Sequence, residues 1–218
     1  MTGDLHPLPM HDLLTILRTA LGKTPVWAAQ TPFEYVCGIV LVQNTAWTNV
    51  ERALAALREV TGFETEQFLR LTDAELTALI RPAGFMRAKS RSLRAFAAWM
   101  LSADGAAAAT LDDAALRVAL LSLPGIGPES ADVAALMVYG RRRFIFDAYG
   151  RRLLRQAGYA VGRDYETTRK TLEAVIDAEG LSHAELVDLH GLILEAGKHA
   201  RAAGGWEVYG PMIGIGTA

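Results

Sequence analysis

A glycine–isoleucine–glycine turn inside residues 123–152, LPGIGPESADVAALMVYGRRRFIFDAYGRR, constrains the fold more than any other stretch of the chain. Gly125 and Gly127 can adopt dihedral angles that a Cβ would forbid, so consecutive N–H groups can point outward and hold a phosphate oxygen. Pro128 suits the first turn of a helix, where its missing N–H costs nothing. The stretch therefore predicts a helix, a hairpin turn and a second helix, with an anion site at the turn and Asp147 at the start of the next helix.

Length and composition indicate an all-α protein. The 218 residues suit one large domain or two small ones, 51% of them are apolar, and runs of β-branched residues are short. The helical spacing of apolar residues predicts helices at residues 10–22, 112–122, 128–139, 147–157, 165–179 and 182–203. Capping boxes are predicted at Thr31 with Glu34, Thr72 with Glu75, and Ser182 with Glu185. The glycine-rich tail from residue 204 is predicted to be irregular.

Hydropathy, cysteine count and net charge exclude several classes of protein. The longest apolar stretch, residues 35–42, is too short to cross a bilayer, and the N-terminal MTGDLHPLPMHD has no signal-peptide pattern. The sequence therefore predicts a soluble, cytoplasmic protein. A single cysteine, Cys37, excludes an intrachain disulfide framework and an all-cysteine metal site, and it is expected to pack as a small apolar group. A net charge of −2 argues against binding DNA through overall positive charge.

Positive charge is nevertheless concentrated in two groups. The first comprises Arg87, Lys89, Arg91 and Arg94, and the second comprises Arg141, Arg142, Arg143, Arg151, Arg152 and Arg155. Taken alone, such groups are more often solvated faces, but the second flanks the predicted phosphate-binding turn. This position favours a DNA-binding surface.

Amide side chains are predicted at the end of the helix that Thr31 opens, which is apolar almost all round and should be buried. Gln43 and Asn44 stand there, with Trp47 close behind. Polar amides at the end of a buried helix indicate a binding site. Helix capping by Asn44 or Thr45 is an equal alternative for those two residues.

The hairpin, the basic loop and an aspartate after the apolar run FIF together resemble the helix-hairpin-helix (HhH-GPD) DNA glycosylases related to endonuclease III. The resemblance covers nearly the whole chain and is most specific in residues 123–132 and 144–152. It implies an all-α fold of two helical lobes with a DNA-binding cleft between them. Residues 24–141 would form the lobe that contains the hairpin, and residues 1–23 with 142–218 the second lobe. The implied partner is double-stranded DNA. The sequence is silent on oligomeric state, so a monomer is only the default expectation.

The resemblance also implies roles along the DNA. Gln43 would fill the gap left by a flipped nucleotide, and Phe85 or Met86 would wedge into the base stack, for which core packing is the alternative. The residues implied to contact DNA are Gln43, Asn44, Phe85, Met86, Lys89, Gly125, Ile126, Gly127, Ser130 and Arg151. A monovalent cation bound at the hairpin is a further implication.

Asp147 matches the position of the family's catalytic aspartate. Base removal breaks a C1′–N bond through a sugar cation, so a carboxylate near the sugar stabilises positive charge and can orient an attacking water. At a helix N-terminus Asp147 is expected to stay ionised. The structural alternative is an ordinary N-cap residue.

Two departures separate this chain from the bifunctional members of the family. Glu129 stands where those members place a lysine nucleophile, and a carboxylate cannot form the Schiff base that strand cleavage requires. No cysteine follows His190, so the four-cysteine iron–sulfur site is missing. Both departures are shared with the bacterial 3-methyladenine glycosylases that resemble endonuclease III. In that branch a lysine, Lys198 here and open to carbamylation, helps to replace the cluster; a plain surface lysine is the alternative.

The resemblance to this branch predicts the substrate. Its base pocket maps to Trp27 and Trp47, with Pro25, Glu129 and Lys198 beside them. An N3-alkylated adenine is cationic and gains about 0.5–2 kcal/mol from a tryptophan face that a neutral base does not. The resemblance therefore implies a monofunctional glycosylase that excises 3-methyladenine by base flipping, at the bacterial nucleoid. The alternatives are a mismatch thymine or uracil or oxidised-pyrimidine glycosylase of the same fold, and a non-catalytic DNA-binding module.

Overall fold

The computed structural model describes residues 7–22, 27 and 29–216, and within these ranges every regular element is helical. The α-helices of the described residues are α1 (Met10–Leu21), α2 (Pro32–Leu41), α3 (Trp47–Thr61), α4 (Thr65–Arg70), α5 (Asp73–Ile80), α6 (Met86–Met100), α7 (Ala103–Ala107), α8 (Asp113–Leu121), α9 (Pro128–Met137), α10 (Ala148–Gln156), α11 (Tyr165–Ala178), α12 (His183–Ala203) and α13 (Trp206–Ile213). Two short 3-10 helices occupy Arg81–Ala83 and Ala108–Thr110. The all-α prediction is confirmed. None of the described helices combines the length and apolar character needed to cross a membrane.

The chain divides into two compact units, which we call the middle unit and the terminal unit. The middle unit comprises residues 29–141, and the terminal unit comprises the described residues before 29 together with 142–216. The sequence-based division placed the first boundary at residue 24 instead of 29. Of the residues in between, Trp27 alone is described, and it belongs to the terminal unit. The second boundary follows residue 141 in both divisions.

Helix α2 is the centre of the middle unit, because its sequence PFEYVCGIVL is apolar on nearly every side. Val36, Cys37 and Leu41 are completely buried, and α2 packs against α3, α6 and α9. The prediction that Cys37 packs as an apolar group is thereby confirmed. Since α2 ends at Leu41, Gln43 and Asn44 lie in the turn that follows it.

The start of α2 differs in one bond from the predicted capping box. Thr31 Oγ1 accepts from the Glu34 N–H at 3.1 Å, as predicted. The Glu34 carboxylate, however, accepts from the Gln30 N–H at 2.8 Å rather than from Thr31. The buried Glu34 side chain also pairs with Arg58, so it ties α2 to α3. The complete box is present at the two other predicted sites, Thr72 with Glu75 and Ser182 with Glu185.

Helix α12 is the centre of the terminal unit, where it packs against α1, α10 and α13. Its buried face is formed by Leu186, Leu189, Leu192, Ile193, Ala196, Gly197 and Ala200. A Cβ at Gly197 would overlap the ring of Tyr149, so this glycine permits the close approach of α10. The helix that Asp147 precedes is thus seated directly on α12.

The prediction of an irregular tail is wrong, because residues 206–213 form α13. Trp206 and Tyr209 are buried, and Ile215 is completely buried beyond the end of the helix. Apolar burial of these side chains outweighs the cost of the glycines in an ordered segment. The glycines lie mainly at the helix ends, where Gly204 and Gly214 supply the left-handed backbone that stops a helix.

Candidate catalytic and DNA-binding site

The hairpin joins α8 to α9 with the helix–turn–helix arrangement that the sequence predicts. The Ile126 N–H donates to the Leu123 carbonyl at 3.1 Å, and both side chains are buried. Gly125 has a φ of 77°, and a Cβ there would overlap Ser92 Oγ of α6. Gly127 is the N-cap of α9 and has no side chain that could bond the N–H groups of the first turn. The start of a helix is a common site for a phosphate oxygen, and the anion site at this turn stays a prediction.

Asp147 is the N-cap of α10 and follows three buried residues, Phe144, Ile145 and Phe146. Its Oδ1 accepts from the Gly150 N–H at 2.6 Å, and the residue is only 7% exposed. Gly150 is required at this position, because a Cβ there would lie 2.6 Å from the Ile145 carbonyl oxygen. The N-cap role of Asp147 is confirmed, and its catalytic role stays a prediction carried by the same carboxylate.

The electrostatic balance at Asp147 differs from the one that its helix position suggests. Burial raises the pKa of Asp147 above the ordinary 3.8. Hydrogen bonds from the N–H groups of Gly150 and Tyr149, and the charges of Arg151 and Arg152, lower the pKa by a smaller amount. The sequence predicts only these lowering effects, because burial cannot be read from the helix position.

The arginines of α10 contact main chain and aromatic groups beside Asp147. Arg151 Nη1 donates to the Phe146 carbonyl at 3.1 Å, so part of its hydrogen-bonding capacity is used within the terminal unit. The exposed Arg152 places its guanidinium 5.7 Å from the centroid of the Tyr149 ring. Contact of Arg151 with DNA stays a prediction that would use its other donors.

The turn after α2 lies against the hairpin helix within the middle unit. Gln43 Nε2 donates to Ser130 Oγ of α9 at 3.4 Å. Asn44 is exposed and has a φ of 54°. Helix α3 begins at the N-cap Ala46 without a side-chain capping bond, so the capping alternative for Asn44 and Thr45 is wrong. The structure therefore brings Gln43 to the hairpin and leaves Asn44 at the surface.

Phe85 precedes α6 in a turn with a left-handed backbone. Gly84 has a φ of 69° and Phe85 a φ of 50°, a conformation that costs a non-glycine residue about 1–3 kcal/mol. The Phe85 residue is 67% exposed, whereas Met86 is half-buried. The core-packing alternative is thus wrong for Phe85, and the structure favours Phe85 over Met86 as the predicted wedge.

Lys89 is placed differently from its prediction as a residue that contacts DNA. It is 5% exposed, and its Nζ donates to the carbonyls of Leu41 and Ala83, each at 2.8 Å. The prediction is wrong because the ammonium group is directed into the middle unit rather than towards solvent. Of the four residues in the first basic group, Arg87 and Arg91 are exposed, and the Arg94 side chain pairs with Asp73.

The residues of the predicted base pocket are divided between the two units. Trp47 is the first residue of α3 and half-buried, and its Nε1 donates to Glu51 Oε1 at 3.0 Å. Trp27 is half-buried and belongs to the terminal unit. Glu129 lies half-buried in the first turn of α9. Pro25 lies outside the described residues.

The profile of the HhH-GPD superfamily of base excision DNA repair proteins matches residues 37–178, a range that includes the hairpin and Asp147. The chain belongs to this superfamily. It is a DNA glycosylase of base-excision repair, and the resemblance drawn from its motifs is confirmed.

Relatives of this HhH-GPD glycosylase include both proteins of similar sequence and solved structures. The chain is 35% identical, over 153 residues, to a protein of Methanocaldococcus jannaschii whose name describes a DNA repair glycosylase; the match covers 68% of this chain and 70% of the relative. The structure of the H. pylori 3-methyladenine DNA glycosylase MagIII bound to 1,N6-ethenoadenine superposes with a TM-score of 0.70 at 24% identity, covering 88% of this chain and 98% of MagIII. A non-covalent endonuclease III–DNA complex gives a TM-score of 0.64 at 19% identity, covering 84% and 82%. These structural likenesses support the fold.

The last part of α12 holds the remaining predicted residue of this HhH-GPD glycosylase. The Lys198 side chain is 66% exposed, and its Nζ pairs with Glu195 at 2.8 Å. This placement favours the surface-lysine alternative, while carbamylation of Lys198 stays a prediction.

Burial lowers the pKa of His190 to about 4, so its imidazole is neutral at pH 7. In the described ranges no three histidine, cysteine, aspartate or glutamate residues converge as metal ligands.

Sequence reasoning did not single out Gly150 and Ser92. The Gly150 N–H donates to Asp147, and Ser92 lies where a Cβ at Gly125 would stand. A third residue, Lys89, was predicted but placed at the wrong surface. A glycine three residues after an N-cap, as Gly150 is after Asp147, is a weak signal because many helices begin that way. The Ser92 contact joins segments 33 residues apart and leaves no local signature.

The raised pKa of Asp147 predicts how the free energy of unfolding depends on pH. A carboxyl group with a higher pKa in the folded chain binds more protons when folded, so the free energy of unfolding falls as pH rises through that interval. Asparagine caps helices as well as aspartate does but carries no charge. We expect Asp147→Asn to match or exceed the wild type in unfolding free energy at pH 7. The difference should shrink as pH falls towards 3.8, in urea titrations at a series of pH values.

Asp164→Asn is the matched control, because Asp164 is the N-cap of α11 and accepts from the Thr167 N–H at 2.9 Å. The hydrogen bond from Thr167 lowers the pKa of Asp164, so its ionised form stabilises the folded chain at neutral pH. Asp164→Asn should therefore lower the unfolding free energy at pH 7 and converge on the wild type in acid. If both variants shifted stability in the same direction, the assignment of the raised pKa to burial of Asp147 would be wrong.

Proposed function

We propose that this HhH-GPD glycosylase is monofunctional and excises alkylated purines, chiefly 3-methyladenine, from double-stranded DNA. The observation that carries the proposal is the buried carboxylate of Asp147, held at the N-cap of α10 directly after the apolar FIF run. The similarity in fold to the 3-methyladenine glycosylase MagIII supports the choice of substrate.

In the proposed reaction Asp147 acts on the sugar of the damaged nucleotide. The C1′–N bond breaks, the base leaves with both bonding electrons, and the positive charge of an N3-alkylated adenine is neutralised as it passes to C1′. An ionised Asp147 stabilises that sugar cation and orients a water whose oxygen bonds to C1′ while its proton passes to solvent. The products are a neutral free base and an abasic site in an uncut strand.

The glutamate at position 129 is the reason that we propose no strand-cleaving step. A bifunctional enzyme forms a Schiff base between a lysine and C1′, and a carboxylate cannot form one. Glu129 occupies the first turn of α9, directly after the hairpin glycines. The proposed reaction uses no iron–sulfur cluster, and carbamylated Lys198 and a monovalent cation at the hairpin stay predictions that no step requires.

Aromatic faces and strand-opening residues support selection of the damaged base. A cationic purine against Trp27 or Trp47 gains cation–π energy that a normal base does not. Flipping costs least for a damaged base, and an exposed apolar wedge such as Phe85 stabilises the opened stack. Since the alkylated base already carries the positive charge that weakens its own glycosidic bond, the enzyme needs no strong general acid.

Replacement of Asp147 by asparagine tests the proposed chemistry. We expect Asp147→Asn to bind methylated duplex DNA with near wild-type affinity, because the N-cap survives. Its release of 3-methyladenine should be slower by a factor of about 100 or more, as expected when an electrostatic stabiliser is removed. The assay incubates methylated DNA with excess enzyme and identifies the released bases by chromatography.

Asp164→Asn is the matched control for this assay, since it changes an N-cap aspartate of the same unit that the mechanism does not use. It should release base at the wild-type rate. Free 3-methyladenine without strand nicking before alkali supports the proposal. Nicking without alkali would contradict the argument from Glu129. Release of thymine or uracil from mismatched duplexes, with none of methylated bases, would contradict the proposed substrate.

Trp47 offers a test of the cation–π contribution. Trp47→Leu removes the aromatic face and should slow single-turnover release of 3-methyladenine about twofold to thirtyfold, the equivalent of about 0.5–2 kcal/mol. Trp47→Phe also loses the bond to Glu51 but keeps an aromatic face, so it should retain most of the rate. Equal rates for the two variants would contradict the prediction that Trp47 contacts the damaged base.

A further inference from the structure

One buried ammonium group joins the bases of two surface turns in the middle unit. Lysine is almost never fully buried without partners, yet Lys89 is 5% exposed. Two of its three donors are accounted for by the carbonyls of Leu41 and Ala83, each 2.8 Å from Nζ. Burial lowers the pKa of Lys89, as expected for an ammonium group withdrawn from water.

The two carbonyls occupy equivalent positions relative to the predicted DNA-contacting residues. Leu41 ends α2 and stands two residues before Gln43, while Ala83 ends the 3-10 helix and stands two residues before Phe85. The last carbonyls of a helix have no partner within it and carry its negative dipole end, so a cation is favourable at both positions. One ammonium group, that of Lys89, therefore bonds the C-terminal carbonyls of both helices.

Both turns depend on their surroundings for their conformation. Asn44 has a φ of 54° and Phe85 a φ of 50°, in the left-handed region that non-glycine residues rarely adopt. Such conformations persist only where neighbouring contacts hold them. The Lys89 ammonium supplies one such contact at the base of each turn. It also lies 5.9 Å from the centroid of the Phe85 ring, within cation–π range.

We propose that Lys89 is a positioning residue for strand opening: it fixes the turn that carries Gln43 and the turn that carries Phe85 at one spacing, so that both enter the duplex together. This inference rests on the proposed function, in which a base is flipped out of duplex DNA. Lys89 touches neither base nor sugar, and it acts through Gln43 and Phe85. Methionine could fill the same volume but could not donate to two carbonyls.

The competing explanation is that Lys89 serves only the stability of the middle unit. Under either explanation Lys89→Met lowers stability, because two buried carbonyls lose their donor. The explanations differ in the folded, DNA-bound protein. A purely structural lysine affects how much protein is folded, whereas a positioning lysine affects how fast the bound duplex is opened.

The test measures base unstacking in a duplex that cannot be cleaved. The probe carries 2-aminopurine beside a tetrahydrofuran abasic analogue, and stopped-flow fluorescence follows unstacking at saturating enzyme while anisotropy gives the affinity. With Lys89→Met we expect unstacking to slow about tenfold, within the roughly hundredfold that a misplacement of about 1 Å can cause, with affinity changed by less than about threefold. Lys170→Met, at an exposed position of α11, should leave both unchanged.

Lys89→Arg is the second variant if Lys89→Met does not fold. Arginine keeps the charge and has five N–H donors, but it sets them on a planar group at the end of a longer side chain. We therefore expect unstacking slower than in the wild type at equal affinity. Unstacking at the wild-type rate by the folded variant, with a change only in melting temperature, would overturn the proposal. The probe is not a substrate, so this result is independent of whether the wild type releases 3-methyladenine, and failure of that release refutes the proposed function alone.

Discussion

The site depends on a carboxylate that is buried and hydrogen-bonded at the same time. Asp147 accepts from the first turn of α10 at 2.6 Å, in a position from which burial has removed most water. Alone, either condition would be ordinary: a capping aspartate is held ionised, and a buried one tends to be neutral. Together they give a fixed carboxylate whose charge is costly even with Arg151 and Arg152 nearby, because burial still raises its pKa. In the proposed reaction, a sugar that becomes positive is the cationic partner that would offset this cost in the transition state.

In the middle unit, buried contacts fix the positions of the residues that are predicted to contact DNA. Its central helix, α2, is completely buried along one side and ends in the turn that carries Gln43. Gln43 contacts the hairpin helix through Ser130, the hairpin glycine Gly125 packs on Ser92, and the buried Lys89 spans two helix ends. Each predicted DNA-contacting element of this unit is thus held by a polar or close contact to a neighbouring helix. The turns at Asn44 and Phe85, which have left-handed backbones, each follow a carbonyl that Lys89 bonds.

Local signals predicted much of this fold. The hairpin, the N-cap at Asp147 and the boxes at Thr72 and Ser182 all lie within four residues of the groups they contact, so their chemistry is legible in the sequence. Lys89 could not be placed in the same way, because its partner Leu41 lies 48 residues away. Helix α13 was missed because glycine content was weighed without the burial of Trp206. The rise in the pKa of Asp147 was missed for the same reason, since burial is a property of the folded chain.

The pH dependence of single-turnover 3-methyladenine release tests the central claim most directly, because a raised pKa is compatible with two opposite roles for Asp147. If the ionised carboxylate stabilises the sugar cation, the rate should rise with pH to a plateau, with a midpoint above the ordinary 3.8. This limb should be absent from Asp147→Asn. A rate that instead falls as pH rises through the same interval would show that the protonated acid is the active form, and would contradict electrostatic stabilisation of the sugar by an ionised Asp147.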